Sequence, residues 1–552
     1  RALGVTRGEL QAALVAEGAS LGALGSVLGV VAGAALAAFA LRNYRGDLGD
    51  GHLRAVGVAL LARPAVLAVF LAVGTLVATI GAWFAARSAA RRPPAAALKG
   101  AGGDADPVTT VFRWRAGAAL GALGAVLAWL PSIGGLALFG YASIAALLLG
   151  AVLLVPVATA ALLRTVPAIG RPVIDTALAQ LRDNVGPATL SLGSIVVSFG
   201  LMVAMMTMVH SFRLSFEAWL GQLLPADLEM RVPLGSNSAY WSAAEQNRIA
   251  SIAGVARVEF RRTRRISLDP ARPAVTLIAR DIDTADARRV LPIVREAAPP
   301  LPAALPPAWI SEGLQDLYGA RVGAVLTLPL GGRAQRFAVA GVWRDYARSD
   351  GSVVVPRPAY EAATGDRTAT QASLWLAPGA TVASVEAAVR KLLAPADAVE
   401  IRTSTDIRAR SLRIFDRAFA ITYALEAVAV AIGLAGVAFA IGSTTLARRA
   451  EFGMLRHIGL RRRDVIALLA TEGVALTALG VLYGLLLGLL LSLVLVYVVD
   501  RQSFHWSIDL AVPLRELLTL GAILVAAAAS TALVAGRAAM SADAVRAIRE
   551  DW

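Results

Sequence analysis

The sequence has 552 residues, of which 57% are hydrophobic and 17% are charged, and its formal net charge is +14. A soluble protein of this length is closer to half apolar and a quarter charged, so the composition excludes an ordinary soluble globular protein. The absence of cysteine excludes disulfides, thiolate metal sites and cysteine nucleophiles, and neither lysine (Lys99, Lys391) lies in the Gly-Lys-Ser/Thr context of an ATP-binding P-loop.

Eight apolar blocks are long enough to cross a bilayer. In chain order they lie at 11–41, 64–86, 115–131, 135–163, 188–211, 418–442, 465–499 and 515–536. The block at 465–499 is longer than a bilayer requires, so we expect it to tilt or to extend beyond the membrane.

The loops between these blocks predict the orientation of the chain. Loops on one side contain 20 Lys and Arg residues, and the short loops on the other side contain 6. Because basic loops remain in the cytoplasm, both ends of this chain are predicted to be cytoplasmic. Basic residues at the ends of apolar blocks favour topology signals over a nucleic-acid-binding face, so we predict no nucleic-acid partner.

A polar stretch at about 213–411 separates the fifth and sixth blocks and has the pattern of an α+β domain. The predicted strands begin at Val255, Ala274, Val325, Phe337 and Ser352. Helices are predicted from Ser242 to Ile252 and from Val382 to Leu393. The charge of the loops places this domain outside the cytoplasm.

An internal repeat relates the two ends of the chain. Residues 1–10 align with 456–465, and the alignment continues without a gap through Glu17-Gly18 against Glu472-Gly473. The chain therefore opens in the middle of a first copy, and we expect a membrane helix, an external domain and a second helix to precede Arg1. Five divisions are predicted. Residues 1–99 are the end of the first copy, 100–170 a linking pair of helices, and 171–212 a helix leading into the second copy. Residues 213–411 are the external domain, and 412–552 the rest of the second copy.

The segment Glu451-Phe-Gly-Met-Leu-Arg-His-Ile-Gly-Leu, followed by Asp464 and Glu472-Gly473, resembles the coupling-helix signature of the FtsX-like permease family. This family includes the MacB exporters and the LolC/LolE lipoprotein extractors. The resemblance covers residues 1–99 and about 171–552, and the pair of helices at 115–163 is similar to the pair that joins the halves of the ten-helix branch. It implies a polytopic α-helical membrane protein of the bacterial inner membrane, with an extracytoplasmic α+β domain and two repeated permease units.

The resemblance also implies a mechanism. A separate cytoplasmic ABC ATPase dimer, which binds the ATP, would grip the coupling helices and move the outer domains. The chain would then be a permease that extracts or exports a lipid-linked or hydrophobic substrate, with a periplasmic or lipoprotein client. The alternative is a regulator of the FtsX type, which activates an extracytoplasmic cell-wall hydrolase without transport; ten helices and two outer domains favour the permease.

The predicted ATPase-docking residues lie on an amphipathic segment in which Phe452, Leu455 and Gly459 have helical spacing. The full set is Glu451, Phe452, Met454, Leu455, Arg456, Ile458 and Gly459, with Arg1, Leu3 and Gly4 as equivalents in the first repeat. The alternative is a plain interfacial helix whose arginines contact lipid headgroups.

Three acidic residues lie in apolar segments. Glu17 and Glu472 are near helix N-termini, where each is either a fixed link between coupling helix and membrane helix or an interfacial capping charge. Glu426 lies deeper, and we interpret its helix as a stalk that leaves the carboxylate in water rather than as an intramembrane functional acid. No set of residues predicts a catalytic site, and the four dispersed histidines predict no metal site.

Overall fold

The structure is a computed structural model. It describes residues 5–43, 63–91, 107–167, 170–183, 185–232, 240–284, 286–297, 305–393, 399–447, 452, 454 and 459–539. The chain divides into two compact units, residues 1–113 with 414–425 and residues 114–413 with 426–552.

The first unit is built on two long antiparallel helices, α1 (Arg7–Asn43) and α2 (Pro64–Arg91). Each contains an apolar span long enough to cross a membrane. Small residues allow the two helices to approach closely, as is common between membrane helices. At Gly18, for example, an added Cβ would lie only 2.2 Å from the Cβ of Ala82.

The chain continues through two more apolar helices, α3 (Pro107–Leu127) and α4 (Leu138–Thr165), and the short amphipathic helix α5 (Pro172–Asp183). Arg182 of α5 donates to the carbonyl oxygen of Leu163 (2.9 Å), so that α5 is fixed to the end of α4. Helix α6 (Val185–Leu223) follows. Its 39 residues span about 58 Å at 1.5 Å per residue, well beyond the roughly 30 Å of a hydrocarbon core.

The sheet domain, residues 228–403, contains one ten-stranded mixed sheet of order β10-β1-β9-β2-β3-β8-β5-β7-β4, with β6 paired to β7. The β3–β8 and β5–β7 pairs are parallel and the other pairs are antiparallel. The strands are β1 (Leu228–Arg231), β2 (Val255–Ile266), β3 (Val275–Arg280), β4 (Ile293–Glu296), β5 (Pro307–Ser311), β6 (Val325–Leu330), β7 (Arg333–Trp343), β8 (Ser352–Pro356), β9 (Gln371–Leu376) and β10 (Glu400–Thr403).

Four short helices cover the sheet domain: α7 (Ala243–Ala250), α8 (Glu312–Tyr318), α9 (Arg357–Thr364) and α10 (Val382–Leu392). They belong to two apolar cores. Helices α7 and α10 pack with β1, β9 and β10, and α8 and α9 pack with β3, β5, β7 and β8. The long strand β2 joins the two halves, because its first part pairs with β9 and its last part with β3.

In the described residues after the sheet domain, the helices are α11 (Ser404–Ala418), α12 (Ala420–Ala447), α13 (Arg462–Val494), α14 (Asp500–Phe504) and α15 (Leu514–Ala539), with the π-helical turn Leu495–Val499 between α13 and α14. Residues Arg462–Phe504 form a continuous apolar span of 43 residues. At about 65 Å it is longer than the roughly 30 Å of a hydrocarbon core, so the prediction that it tilts or extends beyond the membrane stands.

These observations confirm the predicted fold class, a polytopic helical membrane protein with an α+β domain. All five predicted strands and both predicted helices of the domain are present. Among the described residues, seven of the eight predicted membrane blocks are helices long enough to span a membrane, and the third contributes the shorter apolar stretch Trp114–Leu127. The interpretation of Glu426 as a stalk residue in water is wrong: its side chain lies inside the apolar span Thr422–Ser443, and the residue is only 9% exposed.

Candidate functional site

The predicted docking segment precedes α13. The side chain of Phe452 is completely buried against Val465 and Leu469 of α13, whereas Met454 is 61% exposed. Phe452 therefore attaches the segment to α13, and Met454 is the described residue with a surface open to a partner. The remaining predicted docking residues lie outside the described residues: Arg1, Leu3, Gly4, Glu451, Leu455, Arg456 and Ile458.

Gly459 does not have the helical position that its spacing from Phe452 predicts. Its φ of 107° places it in a turn, in a region that glycine adopts and other residues rarely do. Helix α13 begins three residues later, where the N–H of Arg461 donates to Oδ2 of Asp464 (3.1 Å). The prediction of one helical face through Gly459 is therefore corrected to a segment that ends in a glycine turn.

The first repeat begins its helix in the same way. The N–H of Thr6 donates to Oε2 of Glu9 (2.9 Å), and the N–H of Glu9 donates to Oγ1 of Thr6 (3.3 Å). Thr6 and Glu9 align with Arg461 and Asp464 of the second repeat. A reciprocal cap of this kind satisfies backbone donors that the first turn leaves unpaired.

The repeat extends into the helix pairs. Gly473 of α13 faces Ala532 of α15, with 3.5 Å between an added Cβ and the alanine Cβ, just as Gly18 faces Ala82 in the first unit. The preceding glutamates differ, because Glu472 is 5% exposed and Glu17 is an exposed residue. Helix α1 begins at Arg7, so Glu17 lies nearly three turns inside it and is too far from the N-terminus to be a capping charge. The buried position of Glu472 supports the link between helices for the second copy.

Helices α6 and α13 run parallel and are held together by a row of glycines. Gly480, Gly484 and Gly488 of α13 lie against residues at the same spacing of four on α6. At Gly488 an added Cβ would lie 2.4 Å from the Cβ of Val203 and 2.6 Å from the carbonyl oxygen of Gly200. There is no room for a side chain, so these helices are expected to move as one body.

The same row of α6 continues outward as serines, which bind the connecting loop, residues 505–513, between α14 and α15. The N–H of Ala511 donates to Oγ of Ser211 (3.0 Å), and the N–H of Asp509 donates to Oγ of Ser215 (3.1 Å). Irregular backbone near a membrane requires such partners, because unpaired N–H groups are costly away from water. The connecting loop is therefore fixed to α6 as well as to its own helices.

The connecting loop is also bonded to the sheet domain just after β7. The guanidinium of Arg344 donates to both carboxylate oxygens of Asp509 (2.7 and 3.1 Å) and to Oγ of Ser507 (3.1 Å). The hydroxyl of Tyr346 donates to the carbonyl oxygen of Ser507 (2.8 Å). The hydrogen bonds from Arg344 lower the pKa of Asp509 below its ordinary value, and burial raises the pKa of Tyr346.

A second set of polar contacts joins α14 to α8 of the sheet domain. Arg501 forms ion pairs with Glu312 and with Asp316, the latter at 3.2 Å. Glu312 is 1% exposed, and its other carboxylate oxygen accepts from the N–H of Ser507 (2.8 Å). A buried carboxylate held by a guanidinium and a backbone donor is satisfied, so this contact is geometrically well defined.

An aromatic cluster fills the space between these polar contacts. Tyr346 packs edge-on against Trp219 of α6 and Trp506 of the connecting loop, with ring centroids 5.6 and 5.5 Å apart. Trp506 in turn stacks on Phe504, at 5.3 Å. We call the set of Glu312, Arg344, Tyr346, Arg501 and the connecting loop the joint. It connects α6, α14 and the sheet domain through rigid rings and charge-assisted hydrogen bonds.

The joint was not predicted from the sequence. Its residues come from three separate parts of the chain, and none of them forms a local motif. Two features of the sequence could have indicated it. One is the segment Gly341-Val-Trp-Arg-Asp-Tyr, which contributes Arg344 and Tyr346, and the other is Arg501, a charged residue directly after a long apolar block. Within the described ranges, no group of three or more His, Asp or Glu side chains is arranged to hold a metal ion.

Comparison with known proteins agrees with this architecture. Residues 1–94 and 424–544 match the FtsX-like permease C-terminal family, and residues 188–392 match the MacB-like periplasmic core domain. Two of these matched segments cover the two copies of the repeat, and the third covers nearly all of α6 and the sheet domain as far as the end of α10.

An ABC transporter permease protein of Mycobacterium tuberculosis, Rv0987, is 26% identical over 96% of this chain, which spans 63% of the length of that relative. The extracellular domain of the ABC-type transporter YknZ from Gram-positive bacteria is 15% identical (TM-score 0.24, 32% of this chain and 99% of that one). The periplasmic region of MacB from Actinobacillus actinomycetemcomitans is 12% identical (TM-score 0.24, 35% and 94%). The chain thus resembles the FtsX-like permease C-terminal family in two segments and the MacB-like periplasmic core domain in the segment between them.

Proposed function

We propose that this chain is the membrane subunit of an ATP-driven permease of the bacterial inner membrane. It transmits the motion of a cytoplasmic ABC ATPase dimer to the extracytoplasmic sheet domain, and so extracts or exports a lipid-linked or hydrophobic substrate. The family matches and the relative from Mycobacterium tuberculosis support the permease part of this proposal.

The observation that carries the proposal is a continuous line of contacts along α13. At its beginning, Phe452 of the docking segment packs on Val465 and Leu469. At its far end, Arg501 binds Glu312 of the sheet domain. A displacement of the docking segment would therefore reach the sheet domain through one helix and one ion pair, and α6 would follow because of the glycine row.

The docking step is tested by pull-down with a tagged ATPase subunit. Leu455→Asp should abolish binding at normal membrane abundance, because an unpaired carboxylate in an apolar contact is costly. Phe452→Ala is the matched control: it should lower thermal stability, because it empties a buried contact within the chain. Gly459→Trp is a poor test, since φ at this position is unfavourable for tryptophan. Retained ATPase binding by Leu455→Asp would contradict the docking assignment.

The transmission step is tested in the complex with ATPase. Spin labels at Ala383 of α10 and Leu518 of α15, both exposed, should report a distance that changes with nucleotide. The double variant Arg344→Ala/Arg501→Ala should keep the ATPase bound and lose most of this change. Arg265→Ala, which removes the exposed ion pair to Asp350, is the control. An unchanged nucleotide response in the double variant would show that the joint does not transmit motion.

The orientation is tested with single cysteines, since the chain has none of its own. A cysteine at Ser349 of the sheet domain should react with an impermeant thiol reagent in intact spheroplasts. One at Ala450 should react only after the membrane is opened. The reverse result would contradict the assignment of both chain ends to the cytoplasm.

A further inference from the structure

A shallow cavity lies between α6, α12 and α15 of the second unit. Its walls are mainly apolar and include Phe199, Met202, Val430, Gly433 and Leu524; it is open on one side, and its enclosed part has room for about one water molecule. The cavity exists because α12 and α6 separate along their length. An added Cβ at Gly436 would lie 2.8 Å from Oγ of Ser194, whereas one at Gly433 has its nearest described neighbour at 3.7 Å.

A buried carboxylate lies one helical turn beyond this cavity. Glu426 precedes Ala429, Val430 and Gly433 by three, four and seven residues, so it occupies the same face of α12 as the cavity lining. It is 9% exposed, and its Oε1 has no hydrogen-bond partner among the residues that the structure describes. No ion pair involves it in that part of the chain either.

An unpaired carboxylate in apolar surroundings is costly, and such residues within membrane spans mark functional sites by default. A cation that binds Glu426 would remove this cost. The adjoining cavity has an apolar wall, which accepts hydrocarbon and gives a polar ligand little to bind. We propose that Glu426 binds a cationic amphiphile, with its ammonium group on the carboxylate and its alkyl chain along the open, apolar side of this shallow cavity.

The chemistry is shared by two sources, the amine headgroup of a membrane lipid and an alkylammonium cargo. An anionic amphiphile would be repelled, and an uncharged one would lose the ion pair. The site is a property of α6, α12 and α15 alone, so binding to it can be measured without an ATPase and independently of the permease function proposed above.

The test uses the purified chain in non-ionic detergent, with dodecylammonium as probe and dodecanol and dodecyl sulfate as controls of the same chain length. We expect dodecylammonium to bind at least tenfold more tightly than dodecanol. Glu426→Gln, which keeps the side-chain volume, should reduce the affinity for dodecylammonium to that for dodecanol. Glu516→Gln, which alters an exposed carboxylate of α15, should leave the preference unchanged.

Gly433→Leu should weaken the binding of both dodecylammonium and dodecanol, because the leucine side chain fills the cavity. Val430→Phe closes the same space if the first variant does not fold. Competition by phosphatidylethanolamine identifies a membrane lipid as the source, and its absence identifies a cargo. Equal binding of dodecylammonium and dodecanol to the natural chain, or unchanged dodecylammonium binding by Glu426→Gln, would overturn the proposal.

Discussion

The two copies of the helix pair share their sequence pattern but differ in what surrounds it. In the second copy, Gly480, Gly484 and Gly488 lie against α6. The aligned glycines of the first copy, Gly25, Gly29 and Gly33, have no described atom within 4 Å of an added Cβ. A row of glycines thus determines which face of a helix can be approached closely, and other parts of the protein determine whether that face is used.

The largest expected difference between the copies is the effect of a side chain in this row. Gly488→Leu should lower the free energy of unfolding of the protein by at least about 1–3 kcal/mol, because the new side chain collides with Val203 and Gly200. Gly33→Leu should have little effect on the same chain. Thermal unfolding in detergent measures both, and equal losses would mean that the glycine row of the first copy is also covered.

A smaller difference is expected for the aligned glutamates. Glu472→Ala should lower the free energy of unfolding by about 1–3 kcal/mol, because it removes a buried polar group from its partners and leaves them unpaired. Glu17→Ala should change stability by no more than about 0.5 kcal/mol, as is usual for an exposed residue. Thermal unfolding in detergent measures both, and similar values for the two variants would mean that the buried Glu472 does not link helices.

The helix caps should behave alike in the two copies. Asp464→Ala and Glu9→Ala each remove an acceptor for a backbone N–H at the helix start. Each should weaken the first turn, seen as faster amide hydrogen exchange in the first turn of α13 or α1 and nowhere else. Fraying in only one copy would show that the caps are not equivalent.

The smallest expected effect concerns acid sensitivity at the joint. Because Arg344 lowers the pKa of Asp509 in the folded state, the pair contributes stability above the ordinary carboxyl pKa of about 3.9 and loses it as the pH falls through the folded value. The stability difference between the natural chain and Asp509→Asn should therefore shrink on acidification. The Asp509 side chain is 78% exposed, so the difference at neutral pH should be small. A difference that grows in acid would contradict the assignment.

Much of the fold follows from local patterns in the sequence. Long apolar blocks predict the membrane helices, and alternation around residues such as Val255 and Ser352 predicts strands, because both signals repeat within a few residues. Strands β1, β4, β5, β9 and β10 were not predicted, since they are short and their pairing partners are distant in the chain. The helical position of Gly459 was wrongly predicted because spacing alone does not reveal a backbone with positive φ.

The candidate site was only partly accessible from the sequence. The repeat located the docking segment and the pair Glu17 and Glu472, because aligned residues reveal equivalent positions. The joint was not accessible, because Arg344 and Asp509 are 165 residues apart and each is unremarkable in its local context. The burial of Glu426 was missed for a similar reason. Whether a charged residue near the end of a membrane helix contacts water or other helices depends on how the helices pack.

The hydrogen bonds between α6 and the connecting loop require a fixed number of residues in that part of the loop. Ser211 and Ser215 are one helical turn apart on α6, about 5–6 Å, and they bind Ala511 and Asp509, which are two residues apart in extended chain, about 6.6 Å. One helical turn is thus matched to two loop residues. Inserting or deleting a single residue near Leu510 would turn one of these two N–H groups away from its serine. Variation in loop length should therefore occur elsewhere in the loop, or in steps of two residues.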